Sequence, residues 1–162
     1  DSQDICFVPD GDYARFIERW SGERAAPGDF VNRDGNFIAR HKGVVNYTIG
    51  QRRGIGVAAE HPYYVVSKDA ATNTVVLGAN DELFSTHLEA EDVNLISVAG
   101  LDAPMRVKAK IRYRQRETDA TVTPLPNGNV AVDFDAPQRA VTPGQTVVFY
   151  NGDIVVGGGT IK

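Results

Sequence analysis

Residues 119–135 read DATVTPLPNGNVAVDFD, two strand-like runs, 119–125 and 129–135, on either side of Asn127-Gly128. An Asn-Gly pair supplies the positive φ that a tight hairpin needs, so this stretch predicts two antiparallel strands. The signal recurs. Asn151-Gly152 separates 145–150 from 153–156, and Asp34-Gly35, a type I′ signal, separates two earlier strand-like runs. Tyr63–Ser67 and Thr74–Leu77 flank a further turn at Ala70–Asn73. Short strands with turns at this spacing predict a barrel or a sandwich.

Upstream the grammar differs. Residues 1–10 read as a loop or short extended lead-in broken at Pro9. Tyr13, Phe16, Ile17 and Trp20 then fall at i, i+3, i+4 and i+7, one apolar face of a helix. Asp10 or Asp12 can cap its start and Ser21-Gly22 can end it. The composition change near His61-Pro62 divides the chain. Residues 1–9 form a linker carrying a cysteine, 10–61 a small α+β domain, and 62–162 a β-barrel. The fold class is mainly β.

The 162 residues suffice for one ordinary domain or two small ones. An apolar fraction of 42% and a charged fraction of 23% exclude wholesale disorder. The formal net charge is −4, and neither part is basic: eight basic against nine acidic residues in 1–60, nine against twelve in 61–162. Nucleic-acid binding therefore requires a local patch. A single cysteine excludes an intrachain disulfide and a multi-cysteine zinc site, and fits a reducing compartment. No run of 18 apolar residues spans a membrane and no signal-peptide pattern is present. A chain that starts at Asp1 is expected to be part of something longer.

Few residues carry chemistry. Cys6 is either a thiolate nucleophile able to carry sulfur as a persulfide, or a small buried hydrophobe between Ile5 and Phe7. His41, His61 and His87 are scattered, with no metal-spaced pair, so no metal site is expected. In 106–116 every even position is basic: Arg106, Lys108, Lys110, Arg112, Arg114 and Arg116. In a strand these share one face, and the repulsion must be offset. Either a phosphate backbone does so, or the face is solvated and paired with acids such as Asp119, Asp133 or Asp135. Eleven residues are long for one strand, so a bend or bulge is expected within it. Tyr113 alternates with the cations and either fills the barrel core, the reading alternation favours, or stacks on a base or ribose. Gly54-Ile55-Gly56-Val57-Ala58-Ala59 matches G-x-G-x-x-A, but Pro62 prevents a helix and no βαβ unit surrounds it. What remains is a Gly-rich loop offering Arg52 and Arg53 to a phosphate. Gly157-Gly158-Gly159 lets the last strand bend or approach its neighbour. Thr142-Pro143-Gly144-Gln145 is a turn that puts Gln145 at an edge where it can reach a ligand.

Together these segments resemble the tRNA-specific 2-thiouridylases. Asp1–Phe7 looks like the block holding that family's second essential cysteine. His41-Lys42-Gly43 and Tyr47–Gly56 look like its central-domain signature. Arg112-Tyr113-Arg114-Gln115, Ala140–Gln145, Val148-Phe149-Tyr150 and Gly157–Gly159 look like its C-terminal domain. The resemblance implies a C-terminal barrel similar to the second domain of elongation factor Tu. It implies an enzyme that replaces O2 of the wobble uridine with sulfur, using ATP and a cysteine persulfide. Cys6 then matches the persulfide cysteine. Arg112, Tyr113 and Gln145 are the implied tRNA contacts, and Arg114 of the cationic stretch and Arg52 and Arg53 of the Gly-rich loop are expected to join them. Implied partners are the tRNA anticodon arm and a persulfide-donating sulfur carrier or cysteine desulfurase, in the cytoplasm. The family is sometimes labelled a tRNA methyltransferase, yet no glycine-rich methyl-donor site is visible. The family's Ser-Gly-Gly-x-Asp-Ser loop and its other essential cysteine are also not in this sequence. ATP with magnesium is thus expected in a preceding domain, and this portion alone is expected not to thiolate. The alternative is a non-catalytic RNA-binding β-barrel module.

Overall fold

Strand after strand buries alternate residues, and that period of two is what assembles the protein. The structure, a computed structural model, describes residue 8, residues 13–22 and residues 25–162. It divides into two units, residues 1–83 and 84–162.

The first unit contains helix α1 (Tyr13–Ser21) and strands β1 (Gly28–Val31), β2 (Phe37–His41), β3 (Tyr64–Asp69) and β4 (Thr74–Gly78). The sheet order is β2-β1-β4-β3. The β1–β2 and β3–β4 pairs are antiparallel hairpins, while β1 and β4 run parallel, Phe30 opposite Val75. Its core gathers Phe30, Val65, Val75 and Leu77 from the strands, and Tyr47 and Ile55 from the long connection before β3. That connection covers the free edge of β3, where Gly50 N–H donates to Val65 O (2.8 Å) and Val65 N–H to Gln51 O (3.0 Å).

Two expectations change here. The division falls after Leu83 rather than at His61-Pro62. The β3–β4 hairpin belongs to the first sheet because β4 completes a parallel pair with β1. The helix forms and ends as expected, with Gly22 N–H donating to Glu18 O at 2.9 Å. Three residues of its apolar face stand outside the core, however. Trp20 is 84% exposed, and Phe16 and Ile17 are also exposed. The proposed caps Asp10 and Asp12 lie outside the described residues. The Asp34-Gly35 hairpin also forms, but only Gly35 takes positive φ (+82°), whereas a type I′ turn needs it at both central residues. Gly35 N–H donates to Asn32 O (3.0 Å) and Asn32 N–H to Asn36 O (2.9 Å), closing a wider loop.

The second unit is a closed barrel of six antiparallel strands: β5 (Phe84–Leu95), β6 (Met105–Lys110), β7 (Thr118–Pro124), β8 (Val130–Arg139), β9 (Thr146–Asn151) and β10 (Ile154–Ile161). They close in the order β10-β5-β8-β7-β6-β9, and β9 also pairs with β10. Val107, Ala109 and Ile111, Ala120 and Val122, Val130, Val132 and Phe134, and Val147 and Phe149 all point inward at spacing two. On β10 that rhythm breaks at bulges beside Gly157 and after Gly158. A Cβ at Gly157 would lie 2.5 Å from Asn94 O, and one at Gly158 would lie 2.6 Å from Val147 O. The triple glycine is thus a close-approach device, as its composition predicted.

Candidate nucleic-acid interface

The cationic stretch does not run as one strand. β6 stops at Lys110, and residues 111–116 fold into a turn closed by Gln115 N–H donating to Arg112 O (3.2 Å). Only Arg106, Lys108 and Lys110 follow the strand's alternation. Arg106 is held bidentate by Asp135, its Nη1 and Nη2 at 2.8 and 2.7 Å from the carboxylate oxygens. Lys108 sits opposite Asp119 in register. His87 Nδ1 lies 2.7 Å from Asp133 Oδ1. The solvated-face reading therefore holds for Arg106, an outer-face cation already paired across strands.

The turn is anchored from both sides. Ile111 is buried in the barrel core. Gln115 Nε2 donates to Gln138 Oε1, and the Gln138 side chain, 4% exposed, donates in turn to Ala136 O (2.7 Å) and Thr118 Oγ1 (3.3 Å). Arg112 Nη2 donates to Ala140 O (2.9 Å), which also accepts from Thr142 Oγ1 (2.9 Å). Thr142 O accepts from Gln145 N–H (3.2 Å). One run of hydrogen bonds thus links Arg112 to Gln145, two residues 33 positions apart in sequence. Gln145 O is fastened to Ile161 N–H (2.7 Å), and its side chain is exposed.

The structure reverses the two expected orientations in this turn. Tyr113 is not in the core but 91% exposed, because the strand's alternation ends before it. Lys110 Nζ lies 5.6 Å from the centre of its ring. Arg112, expected on the open cationic face, is half-buried. Burial first, and the charge of Arg139 second, lower its pKa. Its Nε is buried with no hydrogen-bond partner among the described residues. Arg114 and Arg116 are exposed and have no ion pair among the described residues. The barrel therefore gathers Arg112, Tyr113, Arg114 and Gln145 through one set of contacts. Sequence reasoning missed Gln138 and Arg139. The signal available was their position immediately before Ala140–Gln145, whose turn was recognised.

Arg52 and Arg53 belong to the first unit. Both are exposed on the Gly-rich loop, where Gln51 Nε2 donates to Arg53 O (2.9 Å). Arg52 lines a cavity of about 160 Å³ together with His61 and Tyr63. The loop runs on without a helix, so the dinucleotide-binding alternative fails in the structure as in the sequence. His41 is a core histidine, edge-on to Phe30 and Tyr47 at 5.2 and 5.4 Å between ring centres. Its Nδ1 accepts from Gly43 N–H (2.9 Å) and its Nε2 faces Asn73 O (3.2 Å), an arrangement that suits the neutral ring. Burial, the largest influence, lowers its pKa. Cys6 lies outside the described residues. Among the described residues, no cluster of three or more His, Cys, Asp or Glu could hold a metal ion, and no helix is long and apolar enough to cross a membrane.

The described residues thus form a small mixed sheet with a Gly-rich loop and a six-stranded closed barrel whose cationic turn carries an exposed aromatic ring. Residues 14–79 match the family described as tRNA methyl transferase PRC-barrel domain, and residues 85–161 match the aminomethyltransferase beta-barrel domain. The chain is 57% identical over 162 residues to the tRNA-specific 2-thiouridylase MnmA of Acetivibrio thermocellus, covering all of this chain and 45% of that protein. It is 55% identical to the tRNA-specific 2-thiouridylase MnmA 1 of Thermoanaerobacter sp. and 48% identical to the MnmA of Clostridium perfringens, again across its whole length and 44% and 45% of theirs. The chain belongs to the tRNA-specific 2-thiouridylase family. It spans less than half the length of these curated relatives, matching their C-terminal part.

Proposed function

We propose that this chain is the tRNA-gripping portion of a 2-thiouridylase. The observation that carries the reading is the turn 111–116, which holds Tyr113 out in solvent beside cations and is bonded through Ala140 and Thr142 to the Gln145 turn. An exposed aromatic ring flanked by Lys110 and Arg114 suits RNA, since an unstacked base can lie on the ring while cations meet phosphates. Arg52 and Arg53 offer further phosphate contacts from the first unit. In the complete enzyme the wobble uridine is activated with ATP and magnesium bound by a preceding domain. The outer sulfur of a Cys6 persulfide, charged by a sulfur carrier or cysteine desulfurase, would attack C2 of the adenylated uridine and displace AMP, and the thiol of the family's other essential cysteine would break the S–S bond, leaving a disulfide with Cys6. This portion alone does not thiolate, and the enzyme works in the cytoplasm.

The test is binding of this chain to a tRNA with an unmodified wobble uridine across a salt series. Steeply salt-dependent binding is expected, and it should weaken when Tyr113 is replaced by Ala. Absence of binding at low salt would refute the reading. Fused to its catalytic domain, Cys6→Ala should abolish thiolation and leave tRNA affinity intact. Retained thiolation would remove Cys6 from the chemistry and favour a plain RNA-binding module.

A further inference from the structure

The cavity on the Gly-rich loop of the first unit has a one-sided wall. Arg52, His61 and Tyr63 line it together with Gly54 and Gly56, and no Asp or Glu does. Glu60, the nearest acid in sequence, is exposed and stays off the wall. The Arg52 and His61 side chains are exposed and make no ion pair or hydrogen bond among the described residues. The backbone is equally unspent. The loop is pinned at its two ends, where the N–H groups of Gly50, Gln51 and Val65 all donate to carbonyls. Between them, from Arg52 to Tyr63, no backbone N–H donates a hydrogen bond within the chain among the described residues. Gly56 takes φ +76°, and a Cβ there would meet nothing within 4 Å. The conformation, not crowding, calls for glycine, and the missing side chain leaves the backbone open to a ligand. A guanidinium only donates, and an imidazole can donate in either protonation state. Donors gathered without a carboxylate suit an anion. The volume, about 160 Å³, is below the roughly 300–1,000 Å³ of pockets for drug-sized ligands, so it suits one small group.

We propose that this cavity is a phosphate site, in which Arg52 and His61 hold one phosphodiester of the RNA against the Gly54–Gly56 backbone. The inference rests on the RNA-binding reading above and adds His61, and a defined place for Arg52, to it. A phosphodiester fits better than a planar carboxylate. The Arg52 fork can take two oxygens of the tetrahedron, which leaves a further oxygen for His61 or a backbone N–H.

The test uses this chain with Arg52→Gln, His61→Phe and, as a charge-matched change in the same unit off the cavity wall, Arg33→Gln. Far-UV circular dichroism checks that each folds. In the first arm inorganic phosphate is titrated at fixed pH and ionic strength while the histidine ring resonances are followed by NMR. Saturable shifts are expected at His61 and not at His41, which is buried, or His87, which faces Asp133. They should be lost in Arg52→Gln and kept in Arg33→Gln. Acetate should not produce them, and an equal response to acetate would overturn the assignment to phosphate. In the second arm, Arg52→Gln and His61→Phe should each lower tRNA affinity about three- to tenfold at low salt, and Arg52→Gln should reduce the salt slope by about one unit. Arg33→Gln should cost less than Arg52→Gln. No shift at His61 overturns the site, and tRNA binding by the unaltered chain then leaves the RNA reading to the barrel turn. A shift at His61 in a chain whose tRNA affinity and slope ignore both variants overturns RNA as the source and makes the occupant a free phosphate. If the unaltered chain does not bind tRNA, the RNA reading fails by itself and the phosphate arm decides the site. Shifts lost in Arg52→Gln then uphold it, and shifts retained there overturn it.

Discussion

The Gln115–Gln138–Thr118 clasp is where sequence, packing and function meet, and Gln138→Leu tests it. The substitution keeps most of the side-chain volume and removes three hydrogen bonds: the one from Gln115, the one to Ala136 O and the one to Thr118 Oγ1. Ala136 is exposed and Gln115 and Thr118 are half-buried, so water can replace part of what each loses. The net cost should then fall at the lower end of the range for a lost buried polar contact, about 1–2 kcal/mol in total. For a domain of 60–100 residues, each kcal/mol moves Tm by about 4–8 °C. The barrel should therefore melt roughly 5–15 °C lower while remaining folded at room temperature. The local effect should exceed the global one. With the clasp gone, the Gln115 N–H to Arg112 O bond that closes the turn should open more often. Hydrogen exchange of the Gln115 amide should accelerate more than that of Val132 in the core, and tRNA affinity should fall with it. An unchanged Tm together with unchanged exchange at Gln115 would show that Ile111 alone holds the turn, and the positioning argument would fail.

Two further outcomes follow from the packing. Gly158→Ala should destabilise the barrel by roughly 1–3 kcal/mol or prevent its closure, because the new methyl meets the backbone oxygen of Val147, which cannot rotate away; a urea midpoint equal to that of the unaltered chain would contradict the close approach. His41 is buried with a pKa held below its unfolded value near 6.5. The unfolded chain therefore binds a proton that the folded chain resists. His41's contribution is fully present above about pH 6.5 and is lost as pH falls towards the folded pKa, with a slope of at most about 1.4 kcal/mol per pH unit. Urea unfolding of the first unit between pH 7.5 and 5 should show that loss, and His41→Phe should flatten it; an equal slope in both proteins would place the titration elsewhere.

Much of the barrel was legible because its information is local. Val107, Ala109 and Ile111, or Val130, Val132 and Phe134, announce an inward face at spacing two, and Asn127-Gly128 marks the hairpin beside them. What stayed hidden depends on partners distant in sequence. The parallel pairing of Phe30 with Val75 has no turn between its strands to betray it, so β3 and β4 read as barrel strands. The same holds for the end of β6. The length of 106–116 announces a break within it, but nothing there places the break at Lys110. The stop is secured by Gln138 at the far end of β8 and by Ala140 just beyond it, and this reverses the orientations read for Arg112 and Tyr113. In α1 the apolar period correctly signalled a helix, but period alone does not say what the face meets, and Trp20 shows the difference. The candidate interface was named in the sequence as a set of residues, through the resemblance, without its geometry.

Barrel closure joins the first barrel strand to the last, Ala90 against Ile161, and Ile161 is also the residue that fastens Gln145. Contacts this remote in the chain are slow to form, because the loop between them must be closed before they contribute anything. The link between the Arg112 turn and the Gln145 edge is therefore among the last features to exist. A chain caught midway, with β6, β7 and β8 already paired, would present the cations of the turn without the Gln145 edge that completes them. Placing the proposed ligand site on the seam would make that site conditional on finished folding, so on this reading immature chains are poor competitors for tRNA.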